Sequence, residues 1–365
     1  MAAVAVLPTP AGGKHNFTPI IIRDKHTEKL THNFDPKKHV AFEPPEKVWQ
    51  MIDIGFPHSK GVSPVAVSEP FRLFSAEAIQ EMRNEVLSDE IWNNHRLAPF
   101  VYDAWKSPEV LAIVSKIAGV ELVPEMDFEI GHINISVKSE EQRAKDMAVV
   151  KEKAAREADE GVSGCPWEDD ETSEKSVVGW HTDSYPFVCV LMLSDCTAMI
   201  GGETALKTGT GEIKKVRGPQ VGCAAILQGR YIEHQALPAF NQSERITMVT
   251  SFRPRSPSLP DDTVLTTVRP ISDLSELYYQ FSEYRLEILE ERIRTQLKNM
   301  REKKQAGKKL NTVELKDFLR AQEVFLAHMN KEMVEEGKVT KGMVDDSHLL
   351  DKGAEKRAKK RQRAL

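Results

Sequence analysis

Long apolar runs are missing from this 365-residue chain. No stretch approaches the roughly 18 uninterrupted apolar residues of a membrane-crossing helix, so no membrane span is expected. Cysteine is scarce. Cys165, Cys189, Cys196 and Cys223 show no C-x-x-C spacing, which argues against both a disulfide framework and a cysteine zinc site. The last three lie in or beside apolar runs and read as reduced, core-packed thiols of a cytosolic protein. An excess of one charge is also lacking. Fifty Lys and Arg stand against 55 Asp and Glu, a net charge of −5, so the total exerts no pull on nucleic acid or an anionic membrane. The first residues, MAAVAVLPTPAGGK, carry no early positive charge and are broken by Pro8 and Pro10, a poor secretory signal. What is present is 40% hydrophobic and 29% charged residues, the balance of a soluble globular protein with a real core.

Residues 1–60 are rich in Pro, His and Lys and read as an extended leader with little structure of its own. SPVAVSEPFRLF looks like a short strand pair. Ser75 is placed to cap a helix with Ile79, Met82, Val86 and Leu87 on its inner stripe. Ser107 and Pro108 open a second helix through Leu111, Val114 and Ile117 that stops at Gly119. In DFEIGHINISVK, the residues Phe128, Ile130, Ile133, Ile135 and Val137 predict a strand, with His132 and Asn134 on one face. Residues 139–176 turn charged and read as an insertion or lid, in which Trp167 is a candidate anchor.

From Val177 to Arg253, short apolar runs alternate with Gly-rich turns, the cadence of an antiparallel barrel or sandwich. Beyond it, 256–350 reads as a helical extension. Leu274, Leu277, Phe281, Tyr284 and Ile288 mark the inner stripe of one helix, and Leu315, Leu319, Phe325 and Leu326 that of another. Residues 351–365 read as a basic disordered tail, and the strand-rich region belongs to a domain at 61–255.

The candidate chemistry centres on VVGWHTDSYPFVCVLML. His181 and Asp183 are two apart at a strand end, so their side chains point the same way. His234, in GRYIEHQAL, supplies a third donor once the chain returns. Two neutral imidazoles and a carboxylate are a ligand set for non-haem Fe(II), with open positions left for other ligands; zinc accepts the same donors. Arg245 follows on the next strand, with Thr247 on the same face. A guanidinium that stays charged when desolvated, beside a hydroxyl, suits the far carboxylate of a dicarboxylate. Trp180, Tyr185 and Phe187 could line a substrate mouth or simply pack. Gln228 and Arg230 could reach the pocket or edge a turn.

On His181, Asp183, His234, Arg245 and Thr247, the chain resembles the Fe(II)/2-oxoglutarate-dependent dioxygenase superfamily, in its prolyl 4-hydroxylase-like and phytanoyl-CoA hydroxylase-like branch. It is also similar to fungal members sharing the wording HTDSYPFVCVLMLSD and GGETAL. The resemblance covers about residues 125–255 and implies an α+β protein: a double-stranded β-helix (jelly-roll) core, flanking N-terminal helices and a C-terminal helical extension. It implies that His181, Asp183 and His234 hold Fe(II), and that Arg245 and Thr247, with Asn134 on the neighbouring strand, receive 2-oxoglutarate. The glycines of GGET, Gly201 and Gly202, take a structural role in a tight turn.

The implied activity couples oxidative decarboxylation of 2-oxoglutarate by O2 to hydroxylation, or a related oxidation, of a small or medium organic substrate. The charged segment 139–176 is long for a compact member. The alternatives are a nucleic-acid or protein hydroxylase or demethylase of the same fold, a zinc hydrolase, and a non-catalytic metal-binding module. The expected location is cytoplasmic, with the nucleus as the alternative on account of the basic tail. The substrate and the oligomeric state are not written in any of these residues.

Overall fold

The computed structural model describes residues 33–88, 98–160, 178–218 and 220–340, without the side chains of 153–160 and Val178. The first half of the expected leader, Cys165 and Trp167 in the charged segment, and the basic tail lie outside the described residues.

The chain opens with α1 (Pro36–His39), capped by the Asp35 carboxylate, which accepts from the Lys37 N–H. Next come β1 (Val48–Gln50), β2 (Val65–Ser68), β3 (Phe71–Arg72) and α2 (Ala76–Val86). Residues 33–60 are therefore part of the fold: β1 pairs antiparallel with β2, and Met51 and Ile54 are buried. Their alternating Val48 and Trp49 are short but sufficient to add an edge strand. β2 and β3 do not pair with each other as the sequence suggested; both pair with a later strand.

Ser75 caps α2 as expected, its hydroxyl accepting from the Ala78 N–H. An unforeseen helix, α3 (Pro99–Lys106), precedes α4 (Pro108–Ala118). Gly119 ends α4 in the left-handed region at φ 68°. Ser107 does not cap α4; its hydroxyl donates to the Glu109 carboxylate instead.

β4 (Leu122–Pro124) and β5 (His132–Val137) follow. The strand expected from Phe128 begins only at His132, because 127–129 form a 3-10 turn. α5 (Glu140–Glu160) occupies the start of the charged segment. The central strands are β6 (Val178–His181), β7 (Phe187–Met192), β8 (Ile200–Gly201), β9 (Thr204–Lys207), β10 (Ile213–Val216), β11 (Cys223–Leu227), β12 (His234–Ala236), β13 (Ala239–Phe240) and β14 (Glu244–Pro254). α6 (Leu274–Gln305) and α7 (Thr312–Glu332) complete the order. None of the described helices is long and apolar enough to cross a membrane.

The result is a mixed α+β architecture. A large sheet runs β1-β2-β11-β7-β14-β4, with β3 also on β11 and β5 also on β14. A smaller sheet runs β10-β9-β12-β6, and β13 pairs β8. Strand alternation divides the large sheet into two faces. Ile246, Met248 and Phe252 of β14 join Phe187, Cys189 and Leu191 of β7 in one cluster with Ile79, Met82, Trp105 and Val114 of α2–α4. The opposite face contributes Val67, Val188 and Leu227 to a second cluster with Leu206 and Val216 of the smaller sheet, and Val249 packs against it. The two sheets thus share a core, and helices cover the outside of the large one.

The extension adds a third cluster. Leu274, Leu277, Phe281, Tyr284 and Ile288 are buried as the periodicity predicts, against Met126, Phe128, Tyr185 and Leu265. α7 needs a correction: Leu319 and Leu326 are exposed, and its buried residues are Phe325, Met329 and Glu332. The inner stripe runs at helical spacing through Phe325 and Met329, and the two leucines fall on the flank of the helix that α6 does not reach.

Candidate metal centre

β6 ends at His181, and β12 begins at His234 directly opposite it in register. That pairing brings the two rings to 4.4 Å between centroids. Asp183 follows beyond the strand end, fixed by its N–H donating to the Gly229 carbonyl at 3.0 Å. The three side chains each offer a ligand atom, and these lie within 4.8 Å of one another. Nε2 of His181 and Nε2 of His234 are each 3.6 Å from Oδ1 of Asp183. That is too long for a hydrogen bond. It is the separation of donors that share an ion about 2 Å from each.

Both histidines are oriented by the same local device. Nδ1 of His181 meets the Gly179 carbonyl at 2.8 Å, and Nδ1 of His234 meets the Ile232 carbonyl at 2.9 Å. A carbonyl only accepts, so each Nδ1 carries the proton and each Nε2 presents a lone pair. Burial pulls the His234 pKa down, against the opposing pull of Asp183, which favours the neutral ligand form. For Asp183, burial works against ionisation, but the positive charge that His234 and His181 carry when protonated, together with the Arg230 guanidinium, outweighs it and holds the carboxyl below its ordinary value. Its Oδ2 is buried with no hydrogen-bond partner among the described residues. An orphaned carboxylate oxygen beside two neutral imidazoles fits a divalent cation, because a buried charge without a counter-charge is costly.

Gly229 was not singled out in the sequence, and the triad depends on it. A Cβ there would lie 1.8 Å from Asp183 Oδ2. Gly201 has the structural role foreseen for GGET: φ is 77°, and a Cβ would meet the Pro238 carbonyl at 2.4 Å.

Arg245, Thr247 and Asn134 come from two adjacent strands. Arg245 pairs with Ser136 and Thr247 with Asn134 across β14 and β5. They alternate with Ile246 and Met248, which enter the helix-side core, so they share the face of Val249 that turns towards the smaller sheet. Burial lowers the Arg245 pKa; among the described residues only the Cys196 thiol opposes this, and no carboxylate does. Its Nε is buried with no partner. His132 shares this face, opposite Val249, and burial pushes its pKa down to about 4, leaving a neutral ring.

The remaining candidates separate. Tyr185 and Phe187 are buried in the clusters beneath α6 and α2–α4, where they pack and do not line a mouth. Trp180 is partly exposed, with the Lys207 ammonium 4.6 Å above its ring. Gln228 is fully buried and clamps the 62–65 segment: it accepts from the Val62 N–H and donates to the Ser63 and Val65 carbonyls. Arg230 stays at the rim. Sequence reading also missed Glu125 and Glu129, buried beneath the extension with pKa values pushed up to about 8 and about 7 by burial.

No protein-family profile matches the chain, and no curated protein matches it. Among solved structures, a 2OG-Fe(II) oxygenase family oxidoreductase from Burkholderia pseudomallei aligns at 14% identity and TM-score 0.27, over 42% of this chain and 56% of its own. A Pseudomonas putida prolyl-4-hydroxylase aligns at 15% identity and TM-score 0.28, over 58% of this chain and 96% of its own. The non-heme monooxygenase ThoJ, solved as a nickel complex, aligns at 10% identity and TM-score 0.32, over 62% and 77%. These similarities are loose, and the geometry of the triad stands independently of them.

Proposed function

We propose that the chain is an Fe(II)- and 2-oxoglutarate-dependent oxygenase, built on a double-stranded β-helix, that oxidises a small or medium organic substrate. The observation that carries this reading is the convergence of two imidazoles, each with Nδ1 tied to a backbone carbonyl, on one carboxylate whose second oxygen has no partner. Its partner observation is a partly buried arginine with no carboxylate partner among the described residues, on the face that turns towards the smaller sheet carrying His181 and His234. A zinc hydrolase would have no use for Arg245 and Thr247.

In this reading His181, Asp183 and His234 hold the ion and leave adjacent positions open. Arg245 takes the far carboxylate of 2-oxoglutarate through a bidentate pair, and Thr247 and Asn134 add hydrogen bonds from the neighbouring rungs. Bound Fe(II) supplies the activation of O2 that couples keto-acid decarboxylation to substrate oxidation. The protein's own work is positional. The register of β6 against β12 sets the angle between the rings, the carbonyls of Gly179 and Ile232 fix the tautomers, and the apolar cluster around Leu206 and Val188 keeps bulk water from one side.

Succinate formation from 2-oxoglutarate with added Fe(II) tests the proposal. Turnover that is abolished by chelation and absent in Asp183→Ala supports it. An Asp183→Ala variant with full turnover overturns it.

A further inference from the structure

We propose that Arg230 binds an anionic group, a carboxylate or a phosphoryl or sulfate-like oxyanion, on the primary substrate beside the metal centre. This rests on the oxygenase reading above and names the substrate class it would take.

Arg230 lies on the turn between β11 and β12, and that turn is pinned at several points. The Gln228 N–H donates to the Ala66 carbonyl, the Tyr231 N–H to the Gln228 carbonyl, and the Gly229 carbonyl accepts from Asp183. The backbone of Arg230 is therefore one peptide away from the group that fixes a metal ligand. Its side chain is partly buried and reaches two acceptors, both neutral. Nε donates to the Asp262 carbonyl at 2.9 Å, and Nη1 reaches the Thr182 hydroxyl at 3.4 Å. Thr182 sits between His181 and Asp183 in the sequence, and the guanidinium is near enough to Asp183 to favour its ionisation.

The nearby carboxylates are engaged elsewhere. Asp262 accepts from the Tyr231 hydroxyl at 2.9 Å. Asp261 is 3.2 Å from Arg285, and Glu233 is 2.6 Å from Lys207. Arg230 forms no ion pair among the described residues, and Asp183 is the acid whose ionisation it favours. Once a divalent ion claims that carboxylate, the guanidinium faces a site with no compensating negative charge. It also carries more N–H donors than its two contacts use. A planar cation held in place by neutral acceptors is suited to a bidentate oxyanion.

The position limits the substrate further. Arg245 serves the co-substrate on the large sheet, whereas Arg230 is anchored to the turn that carries His181 and Asp183. An oxyanion held by Arg230 would lie near Asp183, and a metal held by the triad would then act on a carbon within a few atoms of the acidic group.

The test uses the full chain with 15N-labelled arginine and histidine, loaded with Zn(II) and saturated with 2-oxoglutarate so that Arg245 is occupied. Sodium acetate and sodium sulfate are titrated at constant ionic strength while the Arg230 Nε–H resonance is followed. Saturable movement is expected in the wild type; followed on the labelled His181 and His234 ring nitrogens, which all three proteins share, binding should be at least about tenfold weaker in Arg230→Gln and partly recovered in Arg230→Lys. A stronger response to acetate assigns a carboxylate substrate, and a stronger response to sulfate assigns a phosphoryl or sulfuryl one. An Arg230 resonance that stays still for both anions, or equal binding by Arg230→Gln, overturns the proposal. Failure of the oxygenase reading would show separately, as His181 and His234 ring nitrogens that do not respond to Zn(II).

Discussion

Gly229 leaves room for Asp183 and nothing more: a single added methyl would fall 1.8 Å from the carboxylate's Oδ2. The same residue holds Asp183 in place from the other side, since its carbonyl accepts the Asp183 N–H. Gly229→Ala should therefore push the carboxylate off the triad while leaving both sheets intact. Metal affinity, measured by calorimetry with Zn(II) or Mn(II), is expected to fall by about 10–100-fold or more, the usual cost of disturbing a group that orients a ligand. An unchanged affinity would show that the carboxylate has room to move.

The triad as a whole predicts metal-dependent stability. A divalent ion at about 100 times its Kd should raise the unfolding free energy by about 2.7 kcal/mol. His181→Ala, Asp183→Ala and His234→Ala should each lose that gain in thermal melts. Chelation of the wild type should reproduce the variants' melting temperature.

Arg245 should govern co-substrate affinity and not metal affinity. Arg245→Gln is expected to weaken 2-oxoglutarate binding by about 2–5 kcal/mol, the cost of removing one member of a desolvated charge pair. Thr247→Val should cost about 1 kcal/mol. Calorimetric titration of the Zn(II)-loaded protein separates the two effects, because Zn(II) uptake should be the same in all three proteins.

Stability should decline as the pH rises from the acid range to about 8. Burial, with help from Asp261, raises the folded-state pKa of Glu125 to about 8, and burial raises that of Glu129 to about 7. Between the ordinary carboxyl value and these, the folded chain binds more protons than the unfolded one. The contribution is complete at acid pH and is lost as pH rises through about 7 to about 8. Each group contributes a slope on the order of 1 kcal/mol per pH unit in that window. Glu125→Gln should flatten the fall in melting temperature between the ordinary carboxyl range and about pH 8. A fall as steep as the wild type's would mean that Glu125 ionises normally in the fold.

The extension is fastened through Glu332. Its carboxylate accepts from the Leu265 N–H at 2.7 Å and pairs with Arg269 at 2.8 Å, both residues being almost fully buried. Glu332→Ala removes the carboxylate paired with the buried Arg269 and should cost about 3–5 kcal/mol in denaturant unfolding. The segment it holds also touches the metal loop, since the Val264 N–H donates to the Ser184 carbonyl.

Residues near one another in sequence were largely legible. The Ser75 cap, the Gly119 stop, the stripe from Leu274 to Ile288 and the run of short strands follow from capping chemistry and periodicity, which act within a turn or two. The Ser107 cap failed because a neighbouring carboxylate competed for the hydroxyl. Leu319 and Leu326 misled because apolar content alone does not say which flank of a helix its neighbour covers. Gln228 and Arg230 are two apart with similar polarity, yet one is a buried clamp and the other stands at the rim of the centre.

The sequence by itself determined which donors exist and that His181 and Asp183 point the same way, since strand geometry alternates side chains whatever the fold. Only the tertiary structure decided that His234 pairs opposite His181, that two backbone carbonyls set the ring tautomers, and that Gly229 clears space for the carboxylate. Those relations depend on which strand ends up beside which. That choice is made by burial summed over the whole core, and no local stretch of the chain contains it.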